Sequence, residues 1–106
     1  MKARKPAVQR RIFKAFADLS IIVALKKQPM TGYGINNYFM KKVGIIASPS
    51  TVYSSLASLE RNGLIECVRN RSGRLYALTE DGKKIVDDLP NTLLEIKRFL
   101  DRLLKY

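Results

Sequence analysis

The chain has 106 residues, 46% of them hydrophobic, with 20 Lys and Arg against 9 Asp and Glu, a formal net charge of +11. This length sustains one core, and the charge exceeds what solubility requires and points to a polyanion, nucleic acid ahead of an anionic membrane surface. Histidine is absent and Cys67 is the single cysteine, which excludes histidine bases, histidine or cysteine-rich metal sites and an internal disulfide; no metal, cofactor or enzymatic role is expected.

Residues 1–11 carry Lys2, Arg4, Lys5, Arg10 and Arg11 with no large apolar residue beyond Met1 and Val8. They form a basic N-terminal arm, able to lie along phosphates or to serve only as a solubilising tail. No apolar run approaches bilayer length and no apolar signal core opens the chain, so a cytoplasmic protein off the membrane is expected. From Val8 to Lys27 the spacing predicts one core helix. Ile12, Phe16, Leu19 and Val23 recur at helical intervals, widened by Phe13, Ile22 and Leu25. It should end near Gln28-Pro29. Thr31 is placed to cap a second helix, Gly32 to Lys42, with Ile35, Tyr38 and Phe39 inward, Asn36, Asn37, Lys41 and Lys42 pointing elsewhere, and Gly44 as its stop. Ile45-Ile46-Ala47 is long enough for a stub of strand.

The stretch from Ser48 to Leu64 carries helix signals at both ends. Ser48 suits the N-cap, Pro49 the first helical position, and Gly63 the left-handed stop. Val52, Leu56 and Leu59 share one face, with Tyr53 on its flank. The other face carries Ser50, Thr51, Ser54, Ser58 and Arg61, a small, hydroxyl-rich surface ending in a cation. An ordinary solvated face would look similar, but two helices, a short connection and such a third helix make a helix-turn-helix.

After Gly63 the period switches to that of a strand, with Ile65 and Cys67 alternating against Glu66 and Val68. Arg71-Ser72-Gly73 is the turn, and Leu75 to Leu78 the return. The hairpin tip holds Arg69, Asn70, Arg71 and Arg74, more cation than a turn needs. Thr79 should cap a further helix, with Glu80 and Asp81 in its first turn, running to about Leu89 and breaking at Pro90. Asn91 or Thr92 would cap the last helix. There Leu93, Ile96, Leu100 and Leu103 repeat as a coiled-coil seam, broadened by Leu94, Phe99 and Leu104. The simplest burial for that seam is a second copy of the chain; the alternative is packing back on the first helix.

Helix, helix, helix, hairpin is the order of a winged helix. The residues here also resemble the PadR-like transcriptional regulators, over roughly residues 15–88. The resemblance is carried by Met30-Thr31-Gly32-Tyr33-Gly34-Ile35, by Ser48-x-Ser50-x-Val52-Tyr53-x-x-Leu56-x-x-Leu59-Glu60-x-x-Gly63-Leu64-Ile65, and by Arg74-x-Tyr76-x-Leu78-Thr79-x-x-Gly82. Ser50 and Ser54 depart from the Gly and Pro frequent at these positions in the family. The resemblance implies a dimeric winged-helix protein of repressor type, its third helix in the DNA major groove and its dimer built from terminal helices. Some relatives hold aromatic drugs or phenolic acids between their dimer helices; no residue pattern marks such a pocket here, and a small-molecule effector stays open.

The expected architecture is therefore mainly α, with a small β element: a basic arm (1–11), a winged helix-turn-helix domain (12–89) and a C-terminal dimerisation helix (90–106). The expected function is regulation of transcription on double-stranded DNA by a homodimer, with helix 48–62 in the major groove and hairpin 65–78 as wing. Phosphate contacts would come from Arg4, Lys5, Arg10 and Arg11, from the start of the second helix with Tyr33, and from Arg69, Asn70, Arg71 and Arg74. Ser50, Thr51, Ser54, Ser58 and Arg61 would face the bases, with Arg61 alone capable of a bidentate guanine contact. Glu60 would pair with a wing arginine. The dimer interface would use Leu93, Ile96, Phe99, Leu100, Leu103 and Leu104. Short hydroxyls discriminate weakly, so a non-specific architectural DNA binder is the alternative, and a winged helix docking an acidic protein a third reading.

Overall fold

The computed structural model describes residues 5–71 and 73–105. Over them the chain forms α1 (Lys5–Ala15), α2 (Ala17–Lys27), α3 (Gly32–Val43), α4 (Pro49–Arg61), β1 (Ile65–Asn70), β2 (Gly73–Leu78), α5 (Glu80–Asp87) and α6 (Leu89–Leu104). Arg4 lies outside the described residues. This is a mostly helical winged helix with one small antiparallel sheet.

The single helix expected over Val8–Lys27 is broken at Phe16, whose backbone leaves the helical region at φ −111°, ψ 24°. Ser20 supplies a reason. Its hydroxyl donates to the Phe16 carbonyl at 2.8 Å while its own N–H donates to the same oxygen at 2.9 Å. Such back-bonding bends helices. The Phe16 N–H is shared between the carbonyls of Ile12 and Phe13, at 3.0 and 3.2 Å, a tightened last turn for α1. Beyond the bend, α2 buries Ala17, Ile21, Ile22, Ala24 and Leu25. These pack with Ile35 and Phe39 of α3, Val52, Leu56 and Leu59 of α4, and Ile65, Tyr76 and Leu78 of the hairpin in one core. Phe13 reaches this core edge-on to Phe39, ring centroids 4.8 Å apart.

Thr31 caps α3, accepting from the Gly34 N–H at 3.0 Å, and Gly44 ends it in the left-handed region at φ 71°. The segment 45–47 is not a strand. Ile45 and Ala47 are buried and Ile46 is exposed, but the sheet position open to a third strand is taken by Met30. Met30 N–H donates to the Tyr76 carbonyl at 3.0 Å and Tyr76 N–H to the Met30 carbonyl at 2.8 Å. Alternation of apolar residues could not reveal this, because a lone Met between Pro29 and Thr31 has no period.

The hairpin pairs Ile65 with Leu78 through to Asn70 with Gly73. Its base is tied to the end of α4 by Thr79. The Thr79 N–H donates to the Leu64 carbonyl at 3.1 Å, the Thr79 hydroxyl donates to the Gly63 carbonyl at 2.6 Å, and the Thr79 Oγ1 accepts the Gly82 N–H at 3.2 Å, capping α5. Pro90 does not break a helix as expected. α5 stops at Asp87 and Pro90 lies in the first turn of α6, where a missing N–H leaves nothing unsatisfied. Nor do Asn91 or Thr92 cap α6. Both are helical and bond back to Asp88, which holds the N-cap position: Asn91 Nδ2 to Asp88 Oδ1 at 2.7 Å, and Thr92 Oγ1 to the Asp88 carbonyl at 3.3 Å.

Among the described residues of α6 none is buried. Leu93, Phe99, Leu100 and Leu103 are 53%, 54%, 40% and 60% exposed. A cleft of about 430 Å³, almost wholly apolar, separates Leu89, Leu93, Ile96 and Leu100 from Ile12, Phe16, Leu19 and Val23. The seam therefore does not close back onto the first helices of its own chain.

Gly82 is buried where α5 crosses the end of α4, and a Cβ there would collide with the Leu64 carbonyl and come within 3.1 Å of Leu78 Cδ2. Gly82→Ala should therefore destabilise the fold by about 1–3 kcal/mol, read as a lower urea midpoint with an unchanged denaturant slope.

Candidate nucleic-acid interface

The first turn of α4 is built by Ser48. Its hydroxyl accepts the Thr51 N–H at 3.2 Å, donates to Thr51 Oγ1 at 2.9 Å and lies 3.3 Å from Ser50 Oγ. A helix N-terminus carries partial positive charge from its unpaired N–H groups. Here it also carries three clustered hydroxyls, Ser48, Ser50 and Thr51. The amphipathic division then sets what is free. Val52, Ser55, Leu56 and Leu59 are buried, while Ser50, Ser54 and Arg61 are exposed and Thr51 and Ser58 half-buried. Ser55, which is not among the outward hydroxyls of the sequence pattern, belongs to the packed face.

Strand register gives the sidedness of the hairpin. Residues two apart share a face, so Arg69 and Arg74 continue the face of Ile65, Cys67, Tyr76 and Leu78, whose inner members are buried against the core. This is the face toward α4. The Arg74 guanidinium is held above its ordinary value chiefly by the Tyr76 side chain, as hydrogen-bonding partner and then as an acid, with smaller contributions from Cys67 and from the Glu60 carboxylate of α4. Glu60 feels Arg74 at a distance. It forms no ion pair with a wing arginine among the described residues, contrary to expectation. For exposed side chains such a pair gains little against the entropy of holding both. The ion pairs found, Lys26 with Asp87 and Lys83 with Glu80, each at 3.4 Å, leave Arg61, Arg69, Arg71 and Arg74 without an acidic partner among the described residues. Arg69 and Arg74 lie directly opposite each other in the ladder, an unfavourable like-charge pair that an intervening anion would relieve.

Tyr33, the second residue of α3, is 78% exposed. Beside it, Gly32 is explained by Tyr53. The phenol of this α4 residue covers Gly32 so closely that a Cβ would stand 3.3 Å from its oxygen. Tyr53 thus joins the starts of α3 and α4, a role hidden in the sequence by its place on the flank of an apolar stripe. Lys5 falls in the first turn of α1, and Asn70 ends β1. Arg10 and Arg11 are exposed on α1, which packs on α2 and meets α3 through Phe13 and Phe39. Among the described residues, no hydrogen bond or ion pair joins these two arginines to α4 or the hairpin.

The three-helix core with α4 exposed on one face and an antiparallel hairpin after it defines a winged helix-turn-helix protein. The sequence agrees: residues 21–88 match the transcriptional regulator PadR-like family, and the chain belongs to that family. Solved structures with the same fold include a transcriptional regulator from Clostridium thermocellum, with a TM-score of 0.71 at 24% identity over 90% of this chain and 96% of that one. A putative transcriptional regulator from Thermoplasma acidophilum superposes with a TM-score of 0.66 at 28% identity, over 89% and 95% of the two chains. Bacillus subtilis PadR, solved in complex with operator DNA, superposes with a TM-score of 0.62 at 29% identity, over 69% of this chain and 46% of its own. No curated protein sequence matches the chain. Among the described residues no helix is long and apolar enough to cross a membrane.

Because Ser48 satisfies the first turn of α4, Ser48→Ala should cost about 1 kcal/mol of stability, measurable as a lowered thermal midpoint.

Proposed function

We propose that this protein is a dimeric, DNA-binding regulator of transcription, of repressor type, that lays α4 in the major groove and the hairpin along the adjacent backbone. The observation that carries the reading is the pairing of α4's exposed hydroxyl face with a hairpin whose core-facing side runs out into Arg69 and Arg74. Thr51, Ser54 and Ser58 are short enough to let the helix backbone approach base edges. Thr51 and Ser50 sit in the N-terminal part, from which helix-turn-helix base contacts come. Arg61 is near the C-terminal end and is assigned to phosphate. Arg69, Asn70, Arg71, Arg74 and Tyr33 complete the backbone contacts, and the basic segment carrying Arg4, Lys5, Arg10 and Arg11 adds further charge for phosphate. The net charge of +11 supports a large electrostatic share of the affinity.

The dimer reading is supported by α6. Leu93, Ile96, Phe99, Leu100, Leu103 and Leu104 form one apolar stripe, and its own chain leaves a cleft beneath it. Covering a Leu-sized side chain is worth roughly 1.5–3 kcal/mol, so a two-fold pairing of the stripes is strongly favoured. It would present two α4 helices to half-sites about one helical turn apart.

Selection of duplexes from a random pool at two salt concentrations tests the reading. A short palindrome should be enriched. If each protomer neutralises ~4 phosphates, affinity for it should fall about 10³-fold or more between 50 and 200 mM salt. Equal retention of unrelated duplexes would favour the architectural alternative. Arg71→Glu with Arg74→Glu should weaken binding to all duplexes and flatten the salt dependence; unchanged duplex binding would turn the wing toward a protein partner. Leu100→Asp with Leu103→Asp should yield a folded monomer in sedimentation.

A further inference from the structure

Asn36 lies on α3 immediately after the fully buried Ile35, and its side chain is turned toward the connector between α3 and α4. Its Nδ2 donates to the Ala47 carbonyl at 2.9 Å, and its Oδ1 accepts the Ala47 N–H at 3.0 Å. One amide thus satisfies both backbone groups of one residue, as a neighbouring strand would. Among the described residues no backbone–backbone hydrogen bond involves positions 45–47. The connector is held by this side chain and by burial of Ile45 and Ala47. Ala47 is followed directly by Ser48, whose carbonyl accepts the Val52 N–H at 3.0 Å and whose hydroxyl organises Thr51.

We infer that Asn36 is a positioning residue for sequence reading: it sets where the first turn of α4 stands relative to the rest of the domain, and thereby aims Thr51 and its neighbours at the bases. The inference rests on the DNA-binding reading above. Thr51 Oγ1 accepts the Ser48 hydroxyl proton, which leaves its own proton free to donate outward. The site so aimed suits base-edge acceptors, such as purine N7 or thymine O4. Short hydroxyls reach base edges only from one backbone position. Long arginines on the hairpin tolerate displacement and still find phosphate. Losing the clamp should therefore reduce discrimination between sequences more than it reduces affinity for DNA as such.

The experiment compares Asn36→Asp, Asn36→Ala and Asn37→Asp with the unmutated full chain. Asp at position 36 can still accept the Ala47 N–H but sets an oxygen against the Ala47 carbonyl. Ala removes both bonds without adding charge. Asn37 is exposed on the same helix, so Asn37→Asp makes the same charge change without touching the clamp. For each protein, affinity is measured at one salt concentration for the duplex selected by the unmutated protein and for an unrelated duplex, well below its melting temperature. Both Asn36 variants should lose about tenfold or more in the ratio of the two affinities, the scale of one mispaired base contact. They should also lose hydrogen-exchange protection at the Ala47 amide. Asn37→Asp should weaken both affinities alike and keep the ratio. Retention of the unmutated ratio by the Asn36 variants overturns the positioning role and leaves the DNA reading intact. A failure of the unmutated protein to prefer any duplex overturns both. If neither Asn36 variant folds, the amide supports the whole domain rather than the reading helix, and the inference fails.

Discussion

Burial of Val52, Leu56 and Leu59 against α2 is the contact from which the rest of the molecule takes its orientation. Those residues are at most 2% exposed and meet Ile21, Ile22 and Leu25 in the core. A helix has one rotation about its axis that buries such a stripe. Once it is buried, Ser50, Ser54 and Arg61 have nowhere to point but outward. The chemistry offered to a partner is thus a consequence of the packing on the opposite side. The bend at Phe16 separates the axes of α1 and α2, and the buried residues beyond it belong to the core that holds α4.

The hairpin is joined to that helix by hydrogen bonds rather than by bulk. Thr79 closes the carbonyls of Gly63 and Leu64 and caps α5 with the same hydroxyl. Met30 adds a bridge from the start of α3 to Tyr76. The wing is therefore tied at its base to the elements that flank it, α3 and α4. Among the described residues its tip has no such ties, and Arg69, Arg71 and Arg74 have no acidic partner. A tied base with a cationic end suits a polyanion, which long side chains can meet through more than one rotamer.

Two surfaces of the described residues differ in kind. Around α4 and the hairpin the surface is polar and positive, and water can satisfy it. Along α6 the surface is apolar, next to a cleft of about 430 Å³ that is lined almost entirely by hydrocarbon. Water satisfies that poorly. The first surface is compatible with solvent as it stands, whereas the second gains by being covered.

Local signals settled the elements whose cause is local. Thr31, Ser48 and Thr79 are caps because a hydroxyl three residues before an N–H can reach it, and Gly44 and Gly63 stop helices because only φ above zero fits there. The stripes of α4 and α6 and the alternation in the hairpin were likewise legible, since periodicity is a property of the chain itself. The charge alone pointed to a polyanion. What the chain could not declare were relations between distant residues: Met30 as the third sheet position in place of Ile45–Ala47, Tyr53 lying over Gly32, Gly82 pressed on the Leu64 carbonyl, and Asn36 holding Ala47. The bend at Phe16 and the start of α6 ahead of Pro90 also escaped, because Ser back-bonding and Pro in a first turn leave the apolar period intact. A side chain's propensity is written in its own neighbourhood, whereas its partner is chosen by whichever residues the folded core brings within about 3 Å.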